Sequence, residues 1–376
     1  MPRPATATPD VIHETNSIEC LENHAPHGKE ARAFVECFEQ LGTDPRLFFI
    51  RCFLTADLFQ KMENLEDNVH FTIKDYRHLL EEETALARQM IQTIEQYKKK
   101  LGNPEGREEL DDLSYTQQHY GNLFKHFSEY HYYEEPYELL TTRLERNDIH
   151  IENTASKTAL DCGCGGGRYT VALQKLGFKH VIGIDYSDMN IQTARARADA
   201  KNMRNIEYIL GDVHNLPFED HTFDFVFCNG VLHHSRSIAK DIEELARVMK
   251  PGAEGWLYLI NKPGGIHWDT VELLRRIMRP VSQEYARKTL RLLGIPENRV
   301  FRILDHIMVP INTRSTAEEI EAMFLANNIC NFRRLERGTD FDMIEKIWRL
   351  RNNQSDDPEL LWKYGCGEHR YFFSKL

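Results

Sequence analysis

Apolar residues recur at three- and four-residue spacing from about Glu30 to Leu101, in AFVECFEQL, LFFIRCFLTADLFQKM and YRHLLEEETALARQMIQTIEQYKKKLG. That period lays one apolar stripe along a helix and predicts a helical N-terminal unit. Lys98, Lys99 and Lys100, then Gly102, close its last helix with cations and a glycine, as a helix C-terminus favours. GNPEGREELDD reads as a linker. An aromatic and histidine-rich segment follows, SYTQQHYGNLFKHFSEYHYYEEPYELLTTRLERN, patterned as one or two helices. From Thr158 the rhythm changes: TALDC, HVIGIDYS, IEYILGD, FDFVFCNG and GWLYLIN are β-rich runs, and RYTVALQKLG, MNIQTARARADAKN and IAKDIEELARVMKPG between them are helical. Such alternation predicts βα units around a parallel sheet, an α/β, doubly wound fold.

The division expected from this is a flexible start over 1–29, a helical domain over 30–112, lid helices over 113–157 and an α/β domain over 158–376. That last domain carries helical insertions at about 262–312 and 342–367. STAEEIEAMFLANN is a helix opened by a Ser/Thr cap, with a Glu three residues after Ser315. Among the 376 residues 41% are hydrophobic and 28% charged, ordinary for a chain that buries a sizeable core. The net charge is -11, which argues against nucleic acid or an anionic membrane as partner. The eight cysteines show no CxxC pair and no zinc spacing. No apolar run opens the chain or reaches 18 residues. A reduced, cytoplasmic protein is expected, with no metal.

The stretch LDCGCGGGRYT sets a glycine loop directly after an apolar strand and puts Asp161 ahead of its first glycine. A dinucleotide loop wants GxGxxG, but from Gly163 the run is GCGGGR, with Arg168 at the third glycine position. An acid there would repel a pyrophosphate by on the order of 1 to 4 kcal/mol. S-adenosylmethionine carries an ammonium and a sulfonium and no phosphate, so the same carboxylate becomes an attraction. Asp185 ends the second strand, where a carboxylate can accept both ribose hydroxyls. Asp212 ends the third and can accept from the adenine amine, with the Val213 N–H beside it, and Asn229 ends the fourth.

With these residues the chain resembles the class I S-adenosylmethionine-dependent methyltransferases, in the small-molecule branch that includes quinone and sterol enzymes. The motifs that carry the resemblance are LDCGCGGGRYT, VIGIDYSDMNIQTAR, GDVHNLPFEDHTFDFVFCNGVLHH and LARVMKPGAEGWLYL. It implies a Rossmann-like seven-stranded sheet whose last hairpin CNFRRLERG and HRYFFSKL would supply. It also implies that Asp161, Gly163 and Gly165 lie at the methionine end of the donor, Asp185 at the ribose, Asp212 and Val213 at the adenine and Asn229 at the lip of the methyl pocket. Cys164 and Tyr186, each beside one of these, are counted in the same set. The helices ahead of the first strand would fold over the donor, which brings Tyr115, His119 and Tyr120 to the pocket. The implied product is S-adenosylhomocysteine.

A base is needed only if the acceptor must lose a proton. His233 and His234 follow the fourth strand and, with His119, are the candidates; both histidines of the pair could equally orient the loop. A metal site on His119, His126 and His131 lacks a carboxylate at a suitable spacing. Arg275, Arg276, Arg279, Arg287, Arg291, Arg333, Arg334 and Arg337 could hold an acidic group of the acceptor or pair with local acids on solvated faces. Asp340 and Asp342 could reach the pocket or begin a helix. The expected activity is methyl transfer to a small polar metabolite, on oxygen, nitrogen or carbon. The competing readings are a macromolecular methyltransferase and a non-catalytic scaffold. The long N-terminal helices make a homodimer plausible.

Overall fold

The three- and four-residue apolar spacing of the N-terminal third folds as helices, in a computed structural model that describes residues 25–39, 43–68, 70–101, 127–352 and 357–376. Two compact units result: residues 1–104 with 266–295, and residues 105–265 with 296–376. The segment expected as an insertion over 262–312 is therefore divided. Its helices Gly265–Met278 and Gln283–Leu292 cluster with Gly28–Glu39, Phe48–Asp67 and Ile73–Leu101, whereas Glu297–Ile307 belongs to the second unit.

Within the first unit Phe34, Leu54, Phe59, Met62, Leu80, Leu273 and Leu274 are wholly buried. The apolar faces of these helices are thus consumed by one another. Polar pairs across the unit fix which helices meet: Tyr76 Oη lies 2.8 Å from Thr270 Oγ1, and His27 Nε2 lies 3.0 Å from Asp269 Oδ2.

The second unit is built on a seven-stranded sheet: β1 Thr158–Cys162, β2 His180–Asp185, β3 Ile206–Leu210, β4 Phe223–Asn229, β5 Met249–Leu259, β6 Ile329–Arg334 and β7 His369–Lys375. The order is β3-β2-β1-β4-β5-β7-β6. β1 to β5 run parallel, and β7 lies antiparallel between β5 and β6, the hairpin the resemblance implied. Alternate residues serve opposite faces. Leu160, Cys162, Val226, Cys228 and Leu257 pack on one side, and Ala159, Phe225, Phe227 and Trp256 on the other. Both faces are covered by helices, so the strands read as nearly continuous apolar runs.

The cap of Ala317–Ala326 is Thr316, which forms a reciprocal pair with Glu319, one residue on from the Ser315 expectation. The helix expected to run through Lys250 ends at Val248, because Met249 already pairs with Phe223 in the sheet. Strand order reverses between β1 and β4. The crevice where a doubly wound sheet takes its ligand therefore opens at their carboxyl ends.

Candidate active site

Gly163, Gly165 and Gly167 all adopt positive φ, at 69°, 53° and 90°, a region that side chains avoid. A Cβ on Gly163 would also lie 2.6 Å from Val231 Cγ2, so the loop's course requires glycine twice over. Gly163→Ala is expected to lose about 1–3 kcal/mol of stability and to weaken donor binding. Denaturant unfolding beside a ligand titration checks both.

Two carboxylates face this loop. Asp161, 2% exposed, accepts from Thr170 Oγ1 at 2.7 Å. Burial pushes its carboxyl up to about 7, opposed by the Thr170 hydrogen bond and assisted by the charge of Asp185. Asp185 ends β2 and is also buried. Its Oδ2 accepts from the Gly165 N–H at 2.9 Å, and its Oδ1 from the Ser187 N–H at 2.9 Å and Asn190 Nδ2 at 3.0 Å. Burial raises this carboxyl above its ordinary range, and the three donors hold back part of the rise. One acid thus fastens the loop to the end of β2 and to the first turn of Asp188–Ala200. Thr170, Ser187 and Asn190 were not singled out from sequence. The signal was there in DYSDMN, since a serine capping a helix after a strand-end acid is a local motif.

Of the other sequence candidates, Cys164 is buried with its thiol pushed well above the ordinary range by burial, which makes it a packing residue. Tyr186 is half-buried beside Asp185. Asp212 is exposed and accepts from the His214 N–H at 2.9 Å, capping the turn Val213–Asn215; Val213 packs on the sheet core. Asn229 Oδ1 accepts from Trp256 Nε1 at 3.0 Å, and that indole stacks on Phe227 at 5.9 Å. Tyr115, His119, Tyr120 and His126 lie outside the described residues. From the same segment Tyr132 is buried and its hydroxyl donates to the Gly166 carbonyl, bracing the loop from a π-helical turn, Tyr130–Glu134. Among the described residues no group of three or more His, Cys, Asp or Glu could hold a metal ion, and no helix is long and apolar enough to cross a membrane.

His233 and His234 sit in the turn Leu232–His234 after β4. Their rings are 4.2 Å apart, but the two differ in kind. His234 Nδ1 lies 2.8 Å from the Ile311 carbonyl; that nitrogen must carry the proton, so His234 orients the loop. His233 is 4% exposed and its Nδ1 has no hydrogen-bond partner among the described residues. Burial, with the neighbouring His234 and His306, holds it well below the ordinary histidine range. It is a neutral imidazole with an unused nitrogen.

Of the sequence-predicted arginines, Arg276 pairs with Glu39 at 2.5 Å and Arg337 with Glu345 at 2.8 Å. Asp342 does not open into the pocket as a free acid. It receives Arg143 Nε and Nη2 at 2.8 and 3.0 Å.

Residues 160–258 match the family described as methyltransferase domain. Over 107 residues the chain is 36% identical to the demethylmenaquinone methyltransferase of Staphylococcus haemolyticus, covering 28% of this chain and 43% of that protein. Over 121 residues it is 34% identical to the ubiquinone biosynthesis O-methyltransferase of Neisseria meningitidis, covering 32% and 50%. A solved geranyl diphosphate C-methyltransferase from Streptomyces coelicolor, in complex with S-adenosyl-L-homocysteine, is 16% identical, with 64% of this chain and 80% of that one covered at a TM-score of 0.40. Residues 160–258 are thus a methyltransferase domain. The chain spans about half the length of the relatives it matches or less.

Proposed function

We propose that this protein transfers the methyl group of S-adenosylmethionine to a small-molecule acceptor. The observation that carries the reading is the pair of buried carboxylates, Asp161 and Asp185, at one glycine loop. Two buried acids facing one ligand suit a cation and oppose a phosphate. In this reading Asp161, Gly163 and Gly165 serve the methionine end, Asp185 the ribose, and Asp212 with Val213 the adenine. The relatives' names, a demethylmenaquinone methyltransferase and a ubiquinone biosynthesis O-methyltransferase, favour a small acceptor over a macromolecule.

The chemistry asks little of the protein beyond alignment, because the sulfonium is already an activated leaving group. The acceptor nucleophile attacks the methyl carbon as the carbon–sulfur bond breaks, and the electron pair stays on sulfur, giving S-adenosylhomocysteine. For a hydroxyl acceptor, His233 takes the departing proton on its free nitrogen. Burial opposes a second cation beside the sulfonium. Transfer removes that sulfonium charge, so protonating His233 becomes cheaper as the reaction proceeds. His233→Asn is expected to lower kcat by about a hundredfold with S-adenosylhomocysteine affinity unchanged, as steady-state kinetics beside a binding titration would show.

Asp161 also sets a pH dependence. With its carboxyl pushed up to about 7, it is largely protonated at pH 5.5 and offers a cation little attraction. A bound ammonium favours the ionised form, so binding releases a proton and strengthens as pH rises towards 7. Between pH 5.5 and 7.5 the affinity for S-adenosylmethionine is expected to increase by about three- to thirtyfold, with proton release visible in calorimetry across buffers of differing ionisation enthalpy. The reading as a whole is tested by supplying methyl-labelled S-adenosylmethionine with phenolic and quinol acceptors and, separately, with RNA and protein. Label entering only the macromolecules would contradict it.

A further inference from the structure

A buried polar atom without a partner in a folded interior calls for an explanation. Three residues of the second unit bring such atoms to one corner, at the carboxyl ends of β4 and β5: His233 Nδ1, both side-chain heteroatoms of Asn312, and Arg370 Nε and Nη1. The register places them together. Tyr258 of β5 stands opposite Asn229 of β4 and opposite Arg370 of β7. The Arg370 guanidinium lies 4.5 Å from the Tyr258 ring centroid, and the His233 ring lies 6.0 Å from the same ring. The backbone on either side of Asn312 is tied to the same turn. The Thr313 N–H donates to the His233 carbonyl at 2.8 Å, and the Ile311 carbonyl meets His234 Nδ1.

Arg370 is 6% exposed, and its local acids are already engaged. Nη2 reaches Asp342 Oδ1 at 3.1 Å, but Asp342 is gripped by two nitrogens of Arg143. Nη1 stands 3.5 Å from Glu368 Oε2 without hydrogen-bond alignment. Both Glu368 oxygens accept from backbone N–H groups, of Met343 at 3.0 Å and Ile344 at 2.9 Å. Two nitrogens of a buried cation are therefore left with no acceptor among the described residues. They sit beside the Tyr258 ring, which the ring of the histidine that the methyl-transfer reading uses as base also approaches.

We propose that this corner is the acceptor subsite, with Arg370 holding a carboxylate of the acceptor, Asn312 bonding a neighbouring oxygen and His233 meeting the hydroxyl that is methylated. The substrate class is a hydroxylated aromatic acid. The assignment rests on the methyl-transfer reading above and adds to it a charge preference that the donor site does not require. Guanidinium recognition of a carboxylate is charge-assisted, and replacing the acid by its amide removes the charge while keeping the shape.

The test is calorimetric titration of the full chain, saturated with S-adenosylhomocysteine, using the hydroxybenzoate isomers and their carboxamides as probes. At least one acid is expected to bind about tenfold or more tightly than its amide. Arg370→Gln is expected to erase that preference while leaving S-adenosylhomocysteine affinity within about twofold. Asn312→Ala, in a loop outside the ion-pair network, is expected to weaken the acid about threefold or more, and it decides the matter if Arg370→Gln does not fold. A wild type that binds S-adenosylhomocysteine but shows no acid preference overturns the subsite alone, as does a preference that survives in Arg370→Gln. A wild type that does not bind S-adenosylhomocysteine overturns the methyl-transfer reading and the subsite with it.

Discussion

Asp185→Ala is expected to weaken S-adenosylmethionine binding by at least about a hundredfold. The carboxylate carries two jobs. It accepts from Gly165, Ser187 and Asn190, holding the glycine loop against the end of β2. In the proposed donor complex it also accepts the ribose hydroxyls. Each hydrogen bond to a charged group contributes about 1.5–3 kcal/mol, so losing two ligand bonds accounts for two orders of magnitude. Truncation also leaves buried N–H groups without an acceptor, and a stability loss of about 1–3 kcal/mol should accompany the binding defect. Titration of the variant beside denaturant unfolding separates the two. A variant that binds within a few-fold of wild type would remove Asp185 from the donor site.

Asp342→Ala is expected to be the most destabilising single change in the second unit, at about 3–5 kcal/mol. Asp342 is 1% exposed and lies between Arg143 and Arg370. Burial alone would raise its carboxyl, but the two guanidiniums hold it far below the ordinary range. Removing it leaves both cations buried and facing each other, the situation in which breaking a buried pair is costly. The pH dependence follows from the sign of the shift. A carboxyl lower in the folded than in the unfolded state contributes stability that is present above the unfolded value, about 3.9, and is lost as pH falls below it. Unfolding measured from pH 7 down to pH 3 should therefore show wild type approaching the variant at the acid end. A gap that stays constant with pH would contradict the ion-pair account.

These two sites differ in how far the sequence discloses them. The glycine loop and Asp185 belong to one continuous βα rhythm, in which strand ends, loop and helix cap lie within about thirty residues of each other, so period and spacing place them. Asp342 meets Arg143 across 199 residues, and Arg370 lies in a strand whose pattern, HRYFFSKL, marks it only as one polar position among aromatics. Periodicity states which face of an element is apolar but not which element covers it. The same limit divided the 262–312 segment: its helices are legible, yet nothing local says that Gly265–Met278 joins the N-terminal helices. The two histidines after β4 were indistinguishable by sequence. Only a partner for His234, the Ile311 carbonyl 77 residues away, separates the orienting ring from the free one.

The central claim is that the loop from Gly163 holds S-adenosylmethionine and not a dinucleotide. Calorimetric titration of the wild type with S-adenosylhomocysteine, beside NAD and NADH under the same conditions, tests it most directly. Micromolar binding of S-adenosylhomocysteine with no heat from either dinucleotide is the expected result. Binding of a dinucleotide in its place would contradict the reading of Asp161 and of the site built around it.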